Sequence, residues 1–167
     1  MEHAAEAGTL LALMEALEAS WFGTLVRTST WIYPTASVLH VLGLAFLLGV
    51  IAVYDLRLLG GLKQLPLDPL SGYLPPIAGT ALGVQVVTGF TMFAADADHV
   101  YDNPYFLIKL GLIVLAFANI AFFYWCRRND PLFFIRGHPP AWAKASGLVS
   151  LIAWIGVASF GRMIAYI

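Results

Sequence analysis

Apolar residues along this chain gather into four long runs, near residues 31–54, 75–95, 104–125 and 143–163, and polar residues concentrate between them. Each run supplies about the 20 apolar residues that a helix needs to cross the hydrocarbon core of a bilayer. Interfacial residues mark their ends: Trp31 and Tyr33, Pro75 with Pro76, Asn103 before Pro104, and Trp142. Proline suits a first helical turn because the amide it lacks would have no intrahelical acceptor there, and aromatic residues favour the headgroup level. The pattern predicts an all-α membrane fold, a four-transmembrane-helix antiparallel bundle with short connections.

Ahead of the first run, Leu10, Leu13, Met14, Leu17, Trp21 and Leu25 recur at helical spacing, with Glu15 and Glu18 off that stripe. This predicts an N-terminal amphipathic helix within residues 1–30, lying on the membrane or capping the bundle, ahead of a transmembrane domain over 31–167. The alternative is that it lengthens the first span, but Pro34 holds the residue before it away from helical backbone, which argues for a break. The chain begins with Glu2, His3 and Glu6 where a secretory leader would be basic, so the N-terminus is expected to be retained.

Composition sharpens this picture. A 60% hydrophobic content, 11% charged residues and a mean hydropathy of +0.79 leave too little polar surface for a soluble chain of 167 residues, in which about a quarter would be charged. The lipid bilayer is therefore the first partner. The net charge of −1 supplies no basic field, which excludes nucleic acid. Cys126 is the single cysteine, so neither an internal disulfide nor a thiolate cluster is available.

Orientation follows from the basic residues. Arg57, Lys63, Arg127, Arg128, Arg136 and Lys144 follow the first and third spans, whereas Arg27, Lys109 and Arg162 belong to the other side. The positive-inside rule then places both termini outside the cytoplasm. That outer face also collects Glu2, Glu6, Glu15, Glu18, Asp96, Asp98 and Asp102, and is acidic.

Polar groups inside hydrocarbon are costly, so each is a functional candidate. His40 lies nine residues past Trp31, about 14 Å deep at the helical rise. Tyr33, Ala36, Ser37, Gly43 and Leu44 share its face, whose small residues leave room for a ring system or a close helix. Gln85 shares a face with Ala78, Ala81, Thr88, Gly89 and Met92, and at matching depth it is placed to meet His40. Lys109 and Arg162 lie nearer the outer end, where snorkelling to the interface is the plain alternative. For His40 the plain alternative is a neutral histidine bonded to a neighbouring helix. Gly79 and Gly83 form a GxxxG spacing, read as close helix packing.

A mid-depth imidazole below two cations suits haem b, with His40 on the iron and Arg162 and Lys109 on the propionates. It suits a quinone equally, since His40, Gln85 or Lys109 can donate to its carbonyl oxygens. One in-span histidine leaves a haem five-coordinate, His/Met with Met92 as the sixth ligand, or shared with another subunit. His99 and His138 lie in loops.

The segments Trp31-Ile32-Tyr33-Pro34, Leu39-His40-Val41-Leu42-Gly43, Tyr54-Asp55-Leu56-Arg57-Leu58-Leu59-Gly60 and Gly161-Arg162-Met163-Ile164-Ala165-Tyr166 resemble those of an uncharacterised family of small bacterial four-helix membrane proteins, and more distantly CopD-type membrane proteins. The resemblance implies a bacterial inner membrane and, through the CopD-type proteins, haem or copper. In that pattern Asp55 and Arg57 are expected to pair with each other or with the next loop, as anchors in preference to proton uptake.

Three functions compete. The leading one is a membrane-anchoring electron-transfer subunit that binds haem b or quinone in the outer half of the bundle and works with periplasmic or membrane redox partner subunits. Its acidic outer face and amphipathic helix would form the docking surface. The second is a structural accessory subunit without a cofactor, with a homo-oligomer as a further option. The third is a small transporter or metal-handling protein with His40, Gln85 and Met92 along a path, disfavoured because no discontinuous helix is evident. No nucleophile with a base, phosphate loop or zinc motif occurs, so no catalytic residue is assigned and hydrolase or kinase chemistry is set aside.

Overall fold

A computed structural model describes residues 2–135 and 138–166, with side chains from Thr9 onward except at Ala165. Arg136, one of the basic loop residues, and the side chains of Glu2 and Glu6 lie outside the described residues. Among those described, the fold is all-helical: α1 (Glu2–Glu18), α2 (Trp21–Thr28), α3 (Ile32–Leu58), α4 (Leu67–Ala95), α5 (Ala97–Val100), α6 (Pro104–Arg128) and α7 (Ala141–Met163), with a last 3₁₀ turn Ile164–Tyr166.

Helices α3, α4, α6 and α7 are each long and apolar enough to span a bilayer. Between 11% and 33% of their most apolar stretches is buried inside the protein, so most of their apolar surface needs lipid or another protein to cover it. Four spans bring both ends of the chain to one end of the bundle, here the terminal end, and leave the α3–α4 and α6–α7 connections at the loop end.

Local chemistry sets the boundaries. Asn103 caps α6, its side-chain oxygen accepting from the amides of Tyr105 at 2.9 Å and Phe106 at 3.4 Å, with Pro104 in the first turn. At the other end of the scale, α4 starts at Leu67, well ahead of Pro75. Pro66 precedes it and Asp68 in its first turn suits the helix dipole. Pro75 and Pro76 therefore lie inside the helix and leave the carbonyls of Ser71 and Gly72 without their usual amide donors. Gly60, at φ 95°, ends the α3 region in a left-handed conformation that glycine adopts freely.

The N-terminal segment is two helices rather than one. α1 and α2 meet at 57°, where Ser20 caps α2 by accepting from the Gly23 amide at 3.1 Å. Of the stripe read from the sequence, Leu10, Leu13, Trp21 and Leu25 stay exposed, while α2 buries Gly23 and Val26. A Cβ on Gly23 would come within 2.6 Å of the Ala94 carbonyl oxygen, so α2 touches the end of α4 backbone to backbone. Phe22 stacks on Phe90 with ring centroids 6.2 Å apart. The bent pair also qualifies by length and composition as a broken fifth span; α2 packs on the end of α4 and α1 on α5. Ser29 accepts from the amides of Trp31 and Ile32, both at 3.3 Å, so the break lies at residues 29–31, and Tyr33, the residue before Pro34, is already helical in the first turn of α3.

In the bundle α3 packs on α4 and α7, and α6 packs on α7, but α4 and α6 are not closely packed on each other. Phe93 and Phe106 bridge them at the terminal end, stacked at 5.3 Å. The middle is closed by Leu47, Ala81, Ala116, Ala153, Trp154 and Val157. A second cluster at the loop end, Leu58, Leu67, Phe123, Phe133 and Ala143, is floored by the α6–α7 connection through Phe133. The GxxxG reading is corrected: a Cβ on Gly79 or Gly83 would meet nothing within 4 Å. The close α3–α4 approach is at Gly43 and Gly89, where a Cβ would lie 2.6 Å from Gln85 Nε2 and 3.2 Å from His40 Cε1 respectively.

Candidate functional site

His40 and Gln85 meet, as their depths implied, but through other atoms than two facing side chains suggest. Gln85 Nε2 donates to the backbone carbonyl of His40 at 2.8 Å. The imidazole turns to Thr88, with Nδ1 2.8 Å from Oγ1. Thr88 donates its one hydroxyl hydrogen to the Val84 carbonyl at 2.7 Å. Both bonds are satisfied only if Nδ1 carries the proton and donates to Thr88. Nε2 is then left as a lone-pair acceptor, and it bonds to none of the described residues. Gly89 makes this possible, since the ring edge lies where a side chain would be.

Lys109 reaches across from α6. Its Nζ lies 3.5 Å from where a Cβ on Gly161 of α7 would sit. Among the described residues its ammonium forms neither an ion pair nor a hydrogen bond. The terminal half of the bundle thus holds an imidazole acceptor and an unpaired cation on opposite helices. An unpaired ammonium in low dielectric favours an acceptor-bearing ligand.

The other candidates stand apart. Arg162 is exposed and donates to Tyr166 Oη at 3.0 Å, with its guanidinium 5.2 Å from that ring, and it makes no contact with the His40 imidazole. Tyr33 is exposed, and Ser37 is half-buried one turn before His40; neither bonds to the imidazole. Met92, half-buried one turn past Thr88, makes no hydrogen bond to His40. Among the described residues no group of three or more histidine, cysteine or carboxylate ligands gathers at His40. A haem iron would find one nitrogen ligand here, and copper no ligand cluster.

Two clusters escaped the sequence reading. At the loop end a cavity of about 290 Å³ lies between the four spanning helices, lined by Tyr54 and Asp55 of α3, Gly79 of α4, Asn119 and Phe123 of α6, and Ser150 of α7 among others. Asn119 and Ser146 bond reciprocally, both at 3.0 Å, and Tyr54 shares a hydrogen bond of 2.9 Å with Ser71. Asp55 is 4% exposed. Ser150 of α7 lines the same cavity, and among the described residues Asp55 Oδ2 is buried with no hydrogen-bond partner. Asp55 and Arg57 do not pair. Arg57 alone meets the next loop, donating from Nε to the Leu65 carbonyl at 2.7 Å. The sequence held a signal for Asp55, which continues the inward stripe of Leu47, Ile51 and Leu58.

On the terminal end, ligand atoms of Glu18, Asp98 and His99 lie within 4.8 Å of one another. The Glu18 carboxyl is raised above its ordinary range by sharing a hydrogen bond with Asp98, and the same bond holds Asp98 low. His99 is raised, chiefly by its bond to Asp98. Glu18 also pairs with Arg27, so part of the acidic face is neutralised within the fold.

No curated protein and no solved structure matches the chain. Over residues 13–167, which take in all four spanning helices, it matches the model of DUF6644, a family of unknown function, and the chain belongs to that family.

Proposed function

We propose that this protein is a membrane-anchoring electron-transfer subunit that binds a quinone in the terminal half of its bundle. The supporting observation is the pairing of a histidine whose Nε2 is free, because Thr88 holds Nδ1, with a partly buried ammonium that has no partner. Lys109 would donate to one quinone oxygen. His40 Nε2 would take the proton of the hydroxyl on the reduced form, or return it, as electrons pass to or from a redox partner subunit. Haem b is the weaker alternative, because the spans offer it one histidine ligand; the distant likeness to CopD-type proteins adds haem or copper only as an implication of resemblance.

The resemblance implies a bacterial inner membrane, and the charge asymmetry of the loops would then put both termini on the periplasmic side. The α1–α2 cap then forms the face for a periplasmic or membrane partner, with Leu10, Leu13 and Trp21 exposed on it.

The test is to purify the protein in mild detergent, extract and quantify bound quinone, and record the reduced-minus-oxidised visible spectrum. Quinone should be recovered with the wild type and fall about tenfold or more in Lys109→Met, the factor carried by one charge-assisted hydrogen bond. A Soret band lost in His40→Ala would replace quinone with haem. Absence of both quinone and band would leave the structural accessory subunit as the function.

A further inference from the structure

We infer that the loop-end cavity is a second binding site, independent of the His40 region, for a small apolar organic cation such as a substituted ammonium, held by Asp55. The cavity of about 290 Å³ is walled mainly by apolar and aromatic side chains, and its size is at the small end of the range for ligand pockets, about 300–1,000 Å³. Its acidic group is one carboxyl, with a buried oxygen that has no hydrogen-bond partner among the described residues. A carboxylate removed from water needs a counter-charge or several donors, and among the described residues Oδ2 of Asp55 has neither.

Among the described residues no cation pairs with Asp55. On α3 itself Arg57 is turned to the Leu65 carbonyl and Tyr54 to Ser71. On α6 Arg127 lies over the rings of Tyr124 and Phe134, at 5.0 and 5.8 Å from their centroids. The cavity-lining stretches of α4 and α7 carry no titratable residue. A counter-charge must therefore arrive with a ligand, or the carboxyl must hold a proton.

The walls select the kind of cation. Tyr54, Phe117, Phe123, Tyr124 and Trp154 border the cavity, and aromatic faces attract alkylated ammonium groups that have shed their water. A metal ion would need several oxygen ligands around it, and Asp55 is the one carboxylate present. Entry is from the side, between α4 and α6, which do not pack closely. Gly79 keeps that wall open, since a Cβ there would meet nothing within 4 Å. The core around Leu47, Ala153 and Trp154 separates this cavity from the His40 region, so each site can be removed without the other.

The test uses the full chain in detergent and benzyltrimethylammonium as the probe, followed by isothermal titration calorimetry near pH 8. Saturable binding is expected, with affinity reduced at least tenfold in Asp55→Asn and again in Gly79→Leu, which fills the cavity while leaving the carboxyl in place. Because proton and cation compete for Oδ2, binding should weaken as pH falls, and this dependence should vanish in Asp55→Asn. No saturable binding to the wild type would overturn the proposal. So would undiminished binding in both variants, or equal competition by neopentylbenzene, the uncharged isostere of the probe. If Asp55→Asn does not fold, Gly79→Leu and the neutral isostere decide the question alone.

Discussion

Thr88 has a single hydroxyl hydrogen, and giving it to the Val84 carbonyl obliges the hydroxyl oxygen to accept from His40. One threonine on α4 therefore sets the tautomer of a histidine on α3 and frees Nε2. Thr88→Val keeps the shape but leaves Nδ1–H without an acceptor. It is expected to cost about 1 kcal/mol, the scale of interhelical hydrogen bonds in membranes, or a thermal midpoint lowered by about 2–4 °C in detergent. Thr88→Ser should recover most of that loss. An unchanged midpoint in Thr88→Val would mean that the hydrogen bond, and the tautomer it sets, is not as described. At the same scale Asp55 shows how little separates an anchor from a site: Arg57, two residues on, is satisfied by Leu65, whereas Asp55 faces inward with one oxygen unanswered.

Among the elements, the α1–α2 cap is held to the bundle by few bonds, and those bonds respond to pH. Glu18 at the end of α1 meets Asp98 of α5, and the Asp98 amide donates to Glu18 Oε2 at 3.5 Å. His99 bonds Asp98 at 2.6 Å and lies 3.3 Å from Asp96. A protonated His99 neutralises these carboxylates, which is why its pKa is raised, with the bond to Asp98 as the largest cause. A group raised on folding contributes stability that is complete below its unfolded value, about 6.5 for histidine, and is lost as pH rises through the folded value. Glu18, raised, and Asp98, held low by the same bond, act in opposite senses at lower pH, so His99 sets the dependence at neutral and higher pH. Docking of α1 should therefore loosen with rising pH. Hydrogen exchange of α1 amides, corrected for intrinsic rate, should show less protection at about pH 8.5 than at about pH 5.5. In His99→Gln most of that difference should disappear, and if it persists the histidine does not govern docking.

The molecule as a whole has two polar regions separated by an apolar middle. His40, Thr88 and Lys109 lie toward the terminal end and Asp55, Asn119 and Ser150 toward the loop end, with Leu47, Ala81, Ala116 and Ala153 between them. No polar path joins them among the described residues, so any movement of a solute across the bundle would require the helices to separate. The antiparallel arrangement makes a direct prediction. In a Cys126→Ala background, Thr9→Cys and Arg162→Cys should react with a membrane-impermeant maleimide from one side of a sealed vesicle, and Lys63→Cys and Lys144→Cys from the other. All four positions are exposed. Labelling of Thr9→Cys from the same side as Lys63→Cys would mean that the bent N-terminal pair crosses the membrane as a fifth span.

Sequence alone determined the four spans, because a helix that must bury about 20 residues in hydrocarbon leaves its length and apolarity in the order of residues. It also determined the start of α6, through Asn103 and Pro104, since caps and prolines act within one turn, whereas the break before Ile32 is set by Ser29 and not by Pro34, whose predecessor Tyr33 is helical. The depth match of His40 and Gln85 was legible for the same reason: rise per residue is constant in a helix. Tertiary structure alone decided which atoms meet. The glycines at the helix crossing proved to be Gly43 and Gly89 in place of Gly79 and Gly83, because a small residue shows where helices can approach but not which partner faces it. Arg162 went to Tyr166 and Lys109 toward the interior, although both were cations near the same end. The cavity beside Asp55 arises from the gap between α4 and α6, and a gap between two helices is a property of their relative placement, to which no single stretch of sequence refers.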